Sequence, residues 1–273
     1  MRGSIRNSVV AAAASLVCVA AQSQVTLNAV TGAQGTSTSY SVNGGSLGTG
    51  WVGVNRFSDG SSTFYAYCID PLTVASLPNQ YTTQSLDSFL NGTSTSNYAS
   101  QVARPGYSGL GVSNSASAQS RVLNDLKELF SYAYTDSLTS AVKSAAFGMA
   151  VWEVVLQDGG SASSQFSSAS TSPTARIRSA GSDNLYNNDA LEAQTSAYLT
   201  ALNSNNWGSM TQTNWTYTVY FDGASPISQT FLRVTQKVPE PGSLALALAG
   251  AALLGLLGAQ RRRCAMSAGP LQA

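Results

Sequence analysis

Histidine is absent from all 273 residues. Its absence removes the usual general base near neutral pH, the commonest zinc ligand and every Ser-His or Cys-His nucleophile pair. Charge is scarce too: Asp, Glu, Lys and Arg make up only 10% of the chain, which is low for a cytosolic protein and in keeping with export. Of the fourteen basic residues, two stand near the start and three near the end, leaving nine against twelve acidic residues before Glu240. A faintly acidic body excludes a nucleic-acid binder. Cysteine is almost missing. Cys18 and Cys264 lie in or beyond terminal apolar stretches, so Cys68 is the lone thiol between them and no internal disulfide forms there. Such a cysteine is either a buried small hydrophobe or a reactive group.

The remaining catalytic patterns fail on inspection. Gly106-Tyr107-Ser108-Gly109-Leu110 lacks the closing glycine of a nucleophile elbow. Gly48 to Gly53 spells GxGxxG, but no helix follows and the next turn, Ser58-Asp59-Gly60, comes too soon, so it reads as a glycine-rich turn. Asp125 and Glu128 fall on the polar side of a helical pattern, where solvation explains them. A glycosidase needs two carboxylates flanking a cleft, and no pattern here identifies such a pair. The expectation is a protein that is not an enzyme and holds no cofactor or metal.

What is present lies largely at the two ends. Arg2 and Arg6 precede an apolar stretch from Val9 to Val19 and then small residues, the layout of a signal peptide over residues 1–21 cleaved after Ala21. Val17 ahead of Cys18 argues against a lipoprotein, and the lack of an Arg-Arg pair favours the Sec route over twin-arginine export. Near the other end, residues 242–259 are apolar and just long enough for a transmembrane helix. Arg261, Arg262 and Arg263 then stop transfer and hold a short tail, 264–273, in the cytoplasm. Pro239 and Pro241 keep the chain at the membrane entry out of helix and sheet. That leaves either an extended segment for a membrane-embedded processing enzyme or an ordinary C-terminal anchor.

Pro239-Glu240-Pro241, the apolar run and the arginine cluster, in that order, resemble the PEP-CTERM sorting signal of Gram-negative, exopolysaccharide-producing bacteria. The resemblance covers 238–263. It implies recognition of Pro239, Glu240 and Pro241 by exosortase, an integral-membrane transpeptidase-like enzyme with a cysteine nucleophile. It also implies removal of the helix and arginines, so that an inner-membrane precursor becomes a surface or extracellular protein. The tail from Cys264 to Ala273 departs from the pattern, since members usually end soon after the arginines.

Between the ends, residues 22–237 read as one exported α+β domain of short antiparallel strands with about three helices. "QVTLNAV", "TSYSV" and "STFYAYCID" alternate in part and are separated by Gly- and Ser-rich turns. Val122, Leu126, Leu129, Phe130 and Ala133 recur at helical spacing. "TSAVKSAAFGMAVWEVVLQDGG" is apolar nearly all round, as a central helix is, and stops at Gly159-Gly160. A Ser/Ala-rich loop follows, then a third helix marked by Leu191, Thr195, Tyr198 and Leu202, and two last strands, "NWTYTVYFD" and "QTFLRVTQ".

Tyr67-Cys68-Ile69-Asp70, followed by Ala150-Val151-Trp152-Glu153, is similar to the Cys-Gln thioester domains of bacterial surface adhesins over roughly 64–158. In that family the cysteine sulfur is bonded to a glutamine side-chain carbonyl, an activated acyl group that amines attack. Aligning Ala150-Val151-Trp152 on the family's Ala-Ile-Trp puts Gly148 where the glutamine stands, so Cys68 needs another partner, of which Gln157 is one candidate. The reading adopted is a buried structural Cys68 and a core Trp152. The function expected is a sorted, non-enzymatic envelope or extracellular protein with a structural, adhesive or matrix-associated role and an exopolysaccharide or surface ligand. The alternatives are a covalent adhesin using Cys68 and a plain membrane-anchored binding module.

Overall fold

A computed structural model describes residues 23–42, 48–104, 107, 112–156, 177–179, 189–222 and 228–237. The elements run β1 (Ser23–Ala29), β2 (Gln34–Val42), β3 (Gly48–Ser58), β4 (Thr63–Cys68), β5 (Asn79–Ser85), α1 (Leu86–Phe89), α2 (Asn97–Val102), α3 (Ala116–Ser137), α4 (Ala141–Val155), β6 (Ile177–Ser179), α5 (Asp189–Ser204), β7 (Trp215–Phe221) and β8 (Phe231–Gln236). The chain divides into two compact units, Met1–Thr213 with Tyr217–Val234, and Asn214–Thr216 with Thr235–Ala273. In the second, the Lys237 N–H donates to the Asn214 carbonyl at 3.0 Å. The barrel core, the helices and the cleft described below belong to the first.

The sheet order is β1-β5-β7-β8-β4-β3-β2-β6, and β1 pairs with β3 as well. That extra pairing, Asn28 to Ser58 and Ala29 to Phe57, closes six strands into an antiparallel barrel, with β2 and β6 extending from its side. The expected α+β class is therefore corrected to a β-barrel carrying helices. Closure rests on two residue pairs between segments that read locally as ordinary strands, and no periodicity reveals it. The six-residue motif read as a glycine-rich turn is instead the first half of β3. Its glycines serve backbone approach: a Cβ on Gly35 of β2 would sit 2.9 Å from the Gly53 Cα, and Gly53 itself has φ +144°. Among the described residues no helix is long and apolar enough to cross a membrane, and the expected span 242–259 lies outside them.

Residues opposed across a ladder share a face. Phe57 opposes Phe64, Val25 opposes Tyr81, Thr83 opposes Tyr220 and Cys68 opposes Phe231. Ring contacts of 4.6 Å (Phe57–Phe231), 5.2 Å (Phe64–Tyr220) and 6.0 Å (Tyr81–Phe231) put this set inside the barrel. One end is plugged by Arg233, which lies 4.2 Å over the Phe64 ring, donates to the Tyr220 hydroxyl and reaches Asp59 at 3.7 Å. Asp59 caps the β3–β4 turn by accepting from the N–H groups and hydroxyls of Ser61 and Ser62. Desolvation raises its carboxyl, but those hydrogen bonds outweigh it and draw the pKa down to about 2.

The opposite face of β3 and β4 carries Val52, Val54 and Tyr67; α4 packs on it, α3 and α5 pack on α4, and the α3 rings Phe130 and Tyr134 reach Tyr67. Serine-rich sequence has a structural use here. Ser85, Ser96, Ser115 and Ser140 each cap a helix by accepting an N–H two or three residues into it. Ser144, on the buried helix α4, accepts from the Val54 N–H at 3.0 Å, donates to the Gln34 carbonyl at 2.9 Å and lies 3.0 Å from the Tyr67 hydroxyl. Gln34 and Val54 are partners in the β2–β3 ladder, so this hydroxyl stands inside the ladder and ties the helix to it. A Ser144→Ala variant is expected to lose about 1–3 kcal/mol in urea unfolding, because a buried N–H and carbonyl lose their partner. A loss below about 0.5 kcal/mol would show that Gln34 and Val54 simply close on each other.

Candidate functional site

β3 is longer than its pairing with β4. The ladder runs from Ser58–Thr63 to Val54–Tyr67, and the earlier residues of β3 project past it. Beneath this overhang lies a cleft of about 530 Å³ at the end of the barrel away from Arg233. Its walls are Trp51 and Asn55 of β3, Cys68 at the end of β4, Val74 of the following loop, Trp152 of α4 and Gln229 just before β8. The mouth of a barrel is a favoured place for ligands. Among the described residues no charged side chain lines this cleft.

Cys68 and Trp152, distant in sequence, meet here: the indole N–H donates to the Cys68 carbonyl at 3.1 Å. Cys68 is buried, and its sulfur accepts from the Asp70 N–H at 3.2 Å and from the Gln229 carboxamide. Burial first, then the Asp70 charge, lifts the thiol well above its ordinary range, so it stays protonated at neutral pH. Gly148, aligned with the adhesin glutamine, packs on β3: a Cβ there would meet Val52 Cγ1 at 3.1 Å and the Gly53 nitrogen at 3.3 Å. Glycine at this position serves close helix-to-sheet contact.

Behind Cys68 the chain is held by a buried ionic clasp. Asp70 pairs with Arg104 at 2.5 Å and accepts from the Tyr107 hydroxyl at 2.8 Å and the Thr73 hydroxyl at 2.9 Å. Arg104 also donates to the Asp222 carbonyl at 2.9 Å, and Gln229 donates to the Asp70 carbonyl at 3.2 Å. Burial raises the Asp70 carboxyl above its ordinary value, with the Tyr107 hydrogen bond and the Arg104 charge pulling the other way. The clasp fixes the loop that forms one wall of the cleft.

Glu128 accepts from the Trp207 indole at 2.9 Å and Asp125 is half-buried, so neither is simply a solvated surface charge. Gln157, the sorting residues Pro239, Glu240 and Pro241, and the arginines Arg261, Arg262 and Arg263 lie outside the described residues, as does the Gly106–Leu110 motif except for Tyr107. Sequence reasoning located Cys68 and Trp152 but missed Trp51 and Gln229. An aromatic residue within a glycine-rich stretch, Gly48 to Gly53, was the available signal for Trp51.

Residues 237–263 match the family model of the PEP-CTERM protein-sorting motif. No curated protein and no solved structure matches the chain.

Proposed function

We propose, from the premise that this chain is a PEP-CTERM protein, that its body is a non-enzymatic binding protein with an adhesive, structural or matrix-associated role. The motif at 237–263 makes it an exosortase substrate, a membrane-anchored precursor processed for the surface or exterior. The observation that carries the proposal is that this motif follows directly on β8, so the barrel is what sorting delivers. Export runs through the Sec route by way of the leader 1–21. Among the described residues the cleft carries no charged side chain and its thiol, Cys68, is held protonated by burial, which supports binding over turnover.

The test is the intact mass of the mature protein from its own host. Loss of the segment beyond the Pro-Glu-Pro region is expected, and retention of that segment, with the protein in the membrane fraction, is expected in a Pro239→Ala, Pro241→Ala double variant. If the double variant is processed as the parent is, the recognition role of those prolines is wrong; if the parent keeps its tail, the protein is a plain membrane anchor.

The contact between Gln229 and Cys68 favours a second reading, a covalent adhesin. The Cys68 sulfur would attack the Gln229 side-chain carbonyl carbon, the S–C bond forming as the C–N bond breaks and ammonia leaves with the thiol proton. An external amine would then take the acyl group and return the thiol. A protonated, buried thiol weighs against this. On the same spectrum, a mass deficit of one ammonia that methylamine abolishes would establish it; an unmodified mass is expected.

A further inference from the structure

Among the described residues only three large hydrophobic side chains are exposed, Trp51, Val74 and Val142, and the first two line the same cleft. Trp51 is 46% exposed although the fold buries its other aromatic clusters. Gly50 and Gly53 beside it carry no side chain to cover the ring. The ring is also held in place: a Cβ on Gly35 would stand 3.0 Å from the Trp51 Cζ2, so β2 supports its edge. A rigid, half-open indole is a preorganised flat apolar surface, and little conformational freedom is lost when something lies on it.

The rest of the lining fixes the polarity of what lies there. Among the described residues of the wall there is no Lys, Arg, Asp or Glu, so these residues offer no counter-charge for a phosphate, a uronate or an amine. They do offer carboxamides and a hydroxyl, from Asn55, Gln229 and Thr73. Among the described residues the Asn55 carboxamide makes no hydrogen bond. A carboxamide supplies two donors and an acceptor side by side, which matches adjacent hydroxyls. Gln229 and Thr73 are already paired with Asp70, but a wholly apolar ligand would leave the Asn55 carboxamide facing nothing. The volume of about 530 Å³ lies within the range of small-molecule sites, about 300–1,000 Å³. A ring with an apolar C–H face, a rim of hydroxyls and no charge meets all these conditions.

We propose that the barrel-mouth cleft binds a neutral saccharide, with Trp51 stacking on the sugar face and Asn55 and Gln229 holding its hydroxyls. The proposal deepens the assignment of the body as a binding protein and rests on it.

The test is affinity electrophoresis of the full, host-processed protein through gels containing dextran, mannan or galactan, with alginate as the uronate-bearing comparison. Retardation by at least one neutral glycan is expected, stronger than by alginate, with affinity reduced about tenfold or more in Trp51→Ala and less in Trp51→Phe. Because Trp51 is exposed, the variant should melt close to the parent, which separates lost binding from lost fold. No retardation by any of the three neutral glycans, stronger retardation by alginate, or unchanged binding in a folded Trp51→Ala protein would each overturn the proposal. Reducing ends released from the glycan would instead overturn the non-enzymatic assignment. A processed intact mass alongside absent glycan binding would leave sorting standing while the ligand class fails.

Discussion

Urea unfolding of an Asp70→Ala variant is expected to show a stability about 3–5 kcal/mol below the parent. The substitution leaves the Arg104 guanidinium, only 10% exposed, without its carboxylate, and removes the acceptor of the Tyr107 and Thr73 hydroxyls. The pH dependence carries its own sign. Burial raises the Asp70 carboxyl above its ordinary 3.8, so the folded state binds that proton more tightly than the unfolded chain does. The contribution is complete below pH 3.8 and is lost as pH rises through the folded value. The stability difference between parent and variant should therefore shrink as pH rises above 3.8. A difference that grows with pH would mean that the Arg104 charge outweighs burial, and a loss below about 1 kcal/mol would mean that water enters the clasp.

The second large effect lies on the other side of the sheet. Phe147 of α4 is fully buried, with ring centroids at 4.7 Å from Tyr67, 4.8 Å from Phe130 and 5.9 Å from Tyr198, so it joins β4, α3 and α5 at one point. Truncating it leaves a cavity among rigid rings that cannot collapse into the space. Phe147→Ala should cost about 3–5 kcal/mol, a large part of the roughly 5–15 kcal/mol that holds a domain folded. Phe147→Leu keeps much of the volume and should remain folded with a smaller loss, which keeps the comparison measurable if the alanine variant does not fold. Equal losses in the two variants would show that this site repacks freely.

Helices α3 and α5 were readable because their apolar residues recur at helical spacing, Val122, Leu126, Leu129 and Phe130 being buried, as are Leu191, Tyr198 and Leu202, and α4 because it is apolar nearly all round. The strands β4, β7 and β8 announced themselves through aromatic and β-branched residues. β3 did not, because its glycines carry a turn signal when taken locally and act here through distant backbones, those of β2 and α4. β5, "NQYTTQS", has only Tyr81 fully buried, so alternation is hidden by polar residues. α1 and α2 are too short for a period to show. The cleft was half readable for the same reason. Cys68 and Trp152 sit in distinctive short motifs, whereas Trp51 reaches the site on the overhang of β3 beside β4 and Gln229 through the pairing of β8 with β4.

That closure constrains when the protein becomes itself. The ring of strands is completed by β1, paired to β5 and β3, and by β7 and β8, which enter between β5 and β4 after every helix has been made. Contacts so distant along the chain form late and slowly. Gln236 ends β8, and the sorting motif begins at the next residue. A nascent chain halted one strand short presents an open seam of unpaired backbone rather than a finished wall. The strand that completes the wall is thus followed at once by the sorting signal, so the two reach the membrane together.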